Sequence, residues 1–376
     1  MKLLFIDFTL PYVLHNAEYP AGGWATELQN WIEGLTAHGH RSGVLTWKGA
    51  KDYVGAGSPC DLIDTYDPAK GLPVFKYFYS YIPSLLSAAR RYQPDIVIQS
   101  VAGVHTGIMA FVARRLGVPF VHRVANDVDA DGRCAARLRR YENTAYRYGL
   151  DRAELIVCQN TYQAEALERT HGATPRPVVH NPFKAPGTLP PMVPRGGRDY
   201  VAWMGVFKAQ KNLPLLLRIA KALPNVHFRV AGGPPPDMEA EAQRTLEALR
   251  GLSNVELVGY VRRTDVLDFL ARAVCLLCTS HFEGFSNVFL EALTAGTPVL
   301  TRKTVDPDHI IERNALGGAA LNEEELQAAV ANLWRLDGNA FDAMAIRCRE
   351  YVVAHHAPAA KAAELVRLLD PFVARA

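Results

Sequence analysis

Residues 283–298 read EGFSNVFLEALTAGTP. Two glutamates stand eight residues apart, Glu283 before a Gly-Phe-Ser-Asn turn and Glu291 inside a helical pattern that stops near Gly296. Just upstream, VCLLCTS (274–280) is a short apolar run of strand type, and just downstream TPVLTR (297–302) is another. Strand, turn, helix and strand in that order form a βα unit of a parallel sheet. Ser286 or Asn287 is the residue type that caps a helix, and the helix is expected over 286–295. Amides of its first turn face the carboxyl end of the preceding strand, where such sheets hold anionic ligands. Asn287 and Glu291 are four residues apart and share a helix face. A carboxylate there can accept both hydroxyls of a ribose, while Glu283 on the preceding loop reaches the other end of the same ligand. An anion site between two hydroxyl acceptors is what a nucleotide sugar requires.

The same alternation extends in both directions. Strands are expected at 2–8, 41–47, 95–100, 119–125, 154–160 and 176–181, with helical patterns at 24–38, 104–116, 134–148 and 161–170. A Pro/Gly-rich segment, PFKAPGTLPPMVPRGG (182–197), supports no regular element and marks a boundary. A second series follows, with strands at 199–205, 226–233, 254–260, 274–280 and 297–302 and helices at 212–222, 237–250, 264–272 and 286–295. Residues 322–374 are Ala/Leu-rich and helical, broken near Gly338 and Pro358. The expected architecture is α/β, with two doubly wound Rossmann-like domains facing a cleft. The domain over 1–181 leads through a linker at 182–198 to a second over 199–355, and a C-terminal helix at 356–376 packs back on the first. A chain of 376 residues exceeds what one hydrophobic core usually holds.

Composition narrows the class. The chain is 49% hydrophobic and 21% charged with a formal net charge of +3, and it has no recognition motif for nucleic acid. It has no apolar run of membrane-spanning length, and MKLLFIDF reads as a first strand rather than a leader. The expected location is the cytoplasm. Cys60, Cys134, Cys158, Cys275, Cys278 and Cys348 fall mostly in apolar runs. Cys275 and Cys278 have CxxC spacing, but in a strand residues three apart point to opposite faces, so reduced core cysteines are expected. Arg133, Arg137, Arg139, Arg140 and Arg147 cluster around Glu142, and the aromatic stretch 74–92 ends in Arg90 and Arg91. That pairing suits an anionic membrane surface as a peripheral docking site, and equally a solvated helix.

Four further features bear on ligands. Gly22 and Gly23 precede a helix opening at Trp24, but the pattern is not a dinucleotide fingerprint. Asp127, Asp129, Asp131 and Gly132 imitate a calcium loop that fails at Leu138, where a glutamate is required, so no metal site is expected. In WMGVFKAQKN (203–212) a strand ends at Gly205, and Lys208 and Lys211 precede a helix start, where a lysine neutralises phosphate. Gly232 and Gly233 form another close-approach loop before Pro234.

Together these residues resemble the retaining GT-B glycosyltransferases of family 4. EGFSNVFLEALTAGTPV (283–299) matches that family's E-x7-E region, and the Gly22-Gly23, Gly205–Asn212 and Ala231–Gly233 loops follow in its order, over nearly the whole chain. The resemblance implies that Glu283 contacts the hydroxyls of the donor hexose. It implies that backbone around Gly284, Phe285, Ser286, Asn287 and Val288 holds sugar and diphosphate, and that Glu291 binds the ribose. Lys211 is implied to bind phosphate, Gly23 to approach the diphosphate, and His122 to lie near the reacting sugar. The segment from Tyr260 to Arg262 is implied to border the base. The family usually carries Gly-Arg where this chain has Gly205-Val206, and the resemblance then implies Lys208, or a residue elsewhere, as the substitute cation. The implied activity is metal-independent, cofactor-free hexosyl transfer from a UDP- or GDP-sugar to a saccharide or lipid-linked saccharide in polysaccharide assembly. Configuration is retained by front-face attack without a protein nucleophile. A nucleotide-sugar 2-epimerase of the same fold and an inactive nucleotide-sugar-binding paralogue are the alternatives.

Overall fold

The computed structural model describes residues 1–17, 23–67, 77–171, 174–235 and 238–373. The chain divides into two units, Met1–Lys184 with His356–Ala376, and Ala185–His355.

In the first unit, strands β1 (Lys2–Ile6), β2 (Arg41–Thr46), β3 (Asp61–Asp64), β4 (Ile96–Ser100), β5 (Phe120–Arg123) and β6 (Leu155–Val157) form one parallel sheet in the order β3-β2-β1-β4-β5-β6. In the second, β7 (Tyr200–Met204), β8 (Phe228–Ala231), β9 (Val255–Gly259), β10 (Ala273–Leu277), β11 (Val299–Arg302) and β12 (Gly317–Ala320) pair in the order β12-β11-β10-β7-β8-β9, again all parallel. The two orders are the same when each sheet is counted from its own first strand. In each, the order reverses beside that strand, between β1 and β4 and between β7 and β10. Ligands of doubly wound sheets bind beyond the carboxyl ends of such a pair.

The central strands are unbroken apolar runs because helices cover both faces. Leu3 and Phe5 pack with Leu28, Trp31 and Leu35, whereas Leu4 and Val97 pack with Leu85, Met109 and Phe120 on the other side. In the second unit Val201 and Trp203 pack with Leu216, Phe228 and Leu277. The terminal helix Pro358–Val373 lies on the Gly23–Ala37 helix of the first unit. The approach is close: a Cβ on Gly34 would sit 2.2 Å from the Pro358 carbonyl oxygen.

Several boundaries differ from the sequence expectation, for definite reasons. Segment 176–181 is not a strand and makes one isolated bridge, Cys158 with Val178. Carbonyls of Pro175 and Pro177 accept from Ile156 and Cys158 and Val179 N–H donates back to the Cys158 carbonyl at 2.9 Å, but Pro177 has no N–H to return, so the pairing stops at that single bridge. The helix expected over 134–148 is two elements, a 3-10 turn at Arg133–Ala136 and a helix at Arg140–Leu150. Glu142 starts the latter by accepting the Arg139 N–H at 2.9 Å. β3 and β12 escape a sequence reading because DLID and GGAA carry no apolar run. The acidic segment 127–132 is a short helical turn, Asp127–Ala130, capped by Asn126, rather than a cation loop.

Candidate active site

Two loops meet at the switch point of the second sheet. One leaves β7 at Gly205 and turns through Ala209–Lys211 into the helix Leu213–Ala222, whose first turn is capped by the Asn212 side chain accepting from Leu215 N–H at 3.3 Å. The other leaves β10, carries Ser280 and Glu283, and enters the helix Asn287–Thr294. Trp203 on β7 donates to the Thr279 hydroxyl at 3.0 Å, and that hydroxyl donates to the Lys211 carbonyl at 2.7 Å. The Gln210 carbonyl accepts from His281 N–H at 2.8 Å. These bonds hold the two loops in fixed register.

Lys211 Nζ lies 2.6 Å from Glu283 Oε1, and the pair is largely enclosed, with side chains 21% and 11% exposed. The Ser280 hydroxyl donates to the same oxygen at 2.7 Å, and Gln210 Nε2 reaches Glu283 Oε2 at 3.4 Å and the Phe282 carbonyl at 3.0 Å. Burial opposes the charge on Lys211, but the Glu283 carboxylate outweighs it and raises the lysine pKa, so Lys211 is a cation. The stem of Lys211 runs over Gly205, where a Cβ would lie 3.3 Å from its methylenes. Gly232, after β8, presses on the same turn. Its φ is +138°, and a Cβ there would sit 1.9 Å from the Gly205 carbonyl, so only glycine fits.

Glu291 lies about one and a half turns into the second helix from the Ser286 cap. No described residue hydrogen-bonds its carboxylate, and burial pushes its pKa up to about 7, against a smaller opposite effect of Arg263. Gly284, Phe285 and Ser286 are buried and Asn287 and Val288 half-buried, and Ser286 makes no side-chain cap bond. The second unit thus collects Gly205, Lys211, Glu283, the 284–288 turn and Glu291 around one strand pair and the helix that follows it.

Other expected residues lie elsewhere. Val206 is half-buried, and Lys208 is exposed with no ion pair among the described residues. Tyr260 is 49% exposed, and Arg262 pairs with Asp265 at 2.8 Å on the surface. Gly23 is the exposed first residue of its helix, and Gly22 lies outside the described residues, as do parts of the expected acceptor segments 11–23 and 66–82.

His122, expected near the reacting sugar, is 0% exposed on β5 and stands against Tyr146. Gln99 Nε2 donates to the carbonyls of Ser100 and Val101, which leaves Gln99 Oε1 to accept the His122 Nδ1 proton at 3.0 Å. His122 Nε2 is buried without a partner, and burial lowers the histidine pKa to about 3, so the ring is neutral. Gln99 thus hydrogen-bonds both His122 and the carbonyl of Val101, a β-branched residue with φ +72° just past β4.

Sequence reasoning did not find Gln210, Ser280 or the buried network of the first unit. In that network Arg123 Nε lies 2.5 Å from Glu27 Oε1, with Trp31 and Gln159 also donating to Glu27, and Arg123 donating to Asn181 and the Val179 carbonyl. Glu27 and Arg123 are 96 residues apart, and no local pattern announces their contact.

Comparison with known proteins agrees with this layout. Residues 22–183 match the glycosyl transferase 4-like domain, and residues 198–336 match glycosyl transferases group 1. Among solved structures, sucrose-phosphate synthase from Thermosynechococcus elongatus aligns over 100% of both chains, with a TM-score of 0.81 and 17% identity. Anabaena HepE, solved with UDP and glucose, aligns over 98% of this chain and 99% of its own, with a TM-score of 0.73 and 14% identity. The fold is therefore GT-B, built of two Rossmann-like domains, and the chain is related to the glycosyl transferase 4-like family. Within that group, D-inositol 3-phosphate glycosyltransferase of Mycolicibacterium gilvum is 28% identical over 197 residues, 49% of this chain and 44% of the relative. Glycogen synthase of Mycobacterium tuberculosis is 31% identical over 113 residues, 29% of this chain and 27% of the relative. The matched stretches span less than half the length of these curated relatives. Among the described residues, no group of three or more His, Cys, Asp or Glu side chains is placed to hold a metal, and no helix is long and apolar enough to cross a membrane. All six cysteines are free thiols.

Proposed function

We propose that the protein is a retaining glycosyltransferase that moves a hexosyl group from a UDP- or GDP-sugar to a hydroxyl of a saccharide or lipid-linked saccharide. The observation that carries this reading is the Lys211–Glu283 pair at the β7/β10 switch point, one helix turn and a half from the unpartnered Glu291. In the proposed complex Lys211 binds the diphosphate, Glu283 accepts hydroxyls of the hexose, and Glu291 accepts those of the ribose. The amides of the 284–288 turn add positive potential near the phosphate. As the glycosidic bond breaks, negative charge grows on the departing diphosphate, so Lys211 stabilises the transition state more than the ground state. Glu283 positions the sugar and takes no proton. The leaving phosphate accepts the proton of the attacking hydroxyl on the same face, which accounts for retention without a protein nucleophile.

The first unit supplies the acceptor site in this reading. Exposed Tyr79 beside the Ile82–Tyr92 helix, with Arg90 and Arg91 in its last turn, suits a peripheral position at an anionic membrane on the cytoplasmic side. A screen of nucleotide sugars for transfer or slow hydrolysis tests the function, followed by Lys211→Ala and Glu283→Ala on the active donor. Lys211→Ala is expected to lower kcat/KM by about 10²–10³-fold, the usual effect of losing one transition-state donor. Full activity in both variants contradicts the assignment.

A further inference from the structure

The Lys211–Glu283 contact has a consequence for which ligands the site retains. The two groups face each other at 2.6 Å, and among the described residues the other donors to Glu283 are Ser280 and Gln210. A phosphate that takes Lys211 competes with Glu283 for the charge and the three N–H donors of its ammonium and so weakens the pair. A sugar-bearing donor compensates both halves at once: its diphosphate replaces the carboxylate on Lys211, and its hexose hydroxyls replace the ammonium on Glu283. A free nucleoside diphosphate compensates one half only. It leaves Glu283, a residue 8% exposed, with a weakened hold on its cation, and an enclosed carboxylate that loses hold of its partner is unfavourable.

We infer that the Lys211–Glu283 ion pair is a selectivity element that favours the nucleotide sugar over the free nucleoside diphosphate and so promotes product release after transfer. The inference rests on the proposed function. Glu283 then has two tasks, holding the hexose and competing with the leaving group for Lys211 once the hexose has gone. Ser280 and Gln210 are positioning residues, because they keep the carboxylate facing Lys211 whether or not a ligand is bound.

The test is calorimetric titration of the full chain with UDP, GDP and their hexose conjugates, in wild type, Glu283→Gln, Glu283→Ala and Lys211→Ala. Glutamine keeps the size of the side chain but not its charge, so Lys211 is no longer neutralised. Glu283→Gln is expected to bind the free nucleoside diphosphate about tenfold tighter than wild type, equivalent to about 1.4 kcal/mol, and to bind the nucleotide sugar more weakly. The ratio of the two affinities therefore falls, and product inhibition by the nucleoside diphosphate strengthens by a similar factor. Glu283→Ala shifts the ratio in the same direction and serves if the glutamine variant does not fold. Lys211→Ala weakens both ligands. Equal or weaker binding of the nucleoside diphosphate by folded Glu283 variants overturns the inference while leaving the proposed function standing. Absence of binding by any nucleotide or nucleotide sugar to wild type overturns both.

Discussion

The two switch points of this molecule share a topology and differ in chemistry. Beyond β7 and β10 the loops present a cation and an acid to each other, with a second acid on the adjoining helix that accepts no hydrogen bond among the described residues. Beyond β1 and β4 the acid, Asp7, is turned onto the local backbone, accepting from the N–H groups of Thr9 at 2.7 Å and of Leu10. The end of β4 carries Val101 in the left-handed region. The cation nearest that sheet's centre, Arg123, is spent inside on Glu27. The same strand order thus sets a cation against an acid on the loops of one unit and, among the described residues of the other, turns the acid onto backbone and the cation into the core. Fold alone does not decide where chemistry happens; the residues on the loops do.

The contrast breaks most easily at the buried pair of the first unit. Glu27→Ala leaves Arg123 charged and enclosed, and a loss of about 3–5 kcal/mol in unfolding free energy is expected from denaturant titration. If Glu27 belonged to a ligand site, stability would hold and only binding would suffer.

Acid separates the units next. The folded-state pKa of His122 is depressed to about 3 and that of His105 to about 4, both by burial. Between those values and the ordinary histidine value near 6.5, the unfolded chain binds protons that the folded chain does not. The contribution of these two histidines is therefore full above about pH 6.5 and is lost as pH drops through that window, against the opposite slope of the buried Asp127 and Asp129, whose pKa values burial raises to about 7 and about 6. Thermal melts from pH 7 to pH 4 should show the slope, and His122→Gln should flatten it. An unchanged slope in the variant contradicts the neutral, buried assignment.

Glu291 has the opposite sign. Its folded pKa is raised to about 7 from an ordinary 4.5, so the folded state binds the extra proton between those values and loses stability as pH rises through them. Glu291→Gln should melt higher than wild type at pH 8 and no higher at pH 4. The same variant should weaken donor binding by about 1.5–3 kcal/mol, the range for a hydrogen bond to a charged group. A residue that lowers stability and improves binding belongs to a ligand site, whereas weaker folding at pH 8 in the variant would make Glu291 structural.

The smallest effect concerns Val101. Glycine adopts its φ of +72° without strain, so Val101→Gly should stabilise the chain by about 1 kcal/mol or somewhat more in equilibrium unfolding. A destabilised variant would mean that the Val101 side chain packs better than its 46% exposure implies.

How far the sequence could be read follows the same division. The helices Val104–Leu116 and Thr161–Thr170 have the boundaries expected, because Gly103 and Gly117 bracket one and Asn160 caps the other. Strands such as KLLFI and AVCLL are legible because both their faces are buried. Edge strands β3 and β12 are short and lack that pattern, and the 176–181 run is limited to a single bridge, with Pro177 unable to donate. At the candidate site, Glu283, Glu291 and Lys211 are legible because helix starts and strand ends fix where their side chains go. Gln210 and Ser280 are not, since their role exists only once β7 and β10 are neighbours. The surroundings of His122 are not legible either, since a strand residue near a carboxyl end can face the loop end or the helix layer, and its contacts with Gln99 and Tyr146 exist only in the fold.

The central claim is that the nucleotide sugar binds at the β7/β10 switch point of the second unit. Amide hydrogen exchange of the full chain, with and without a stabilising nucleotide sugar, tests it most directly. Slowed exchange should concentrate in residues 205–212 and 279–291, with wild-type exchange restored there by Lys211→Ala at the same ligand concentration. Protection confined to the first unit, or protection at 205–212 and 279–291 that survives Lys211→Ala undiminished, would contradict the account.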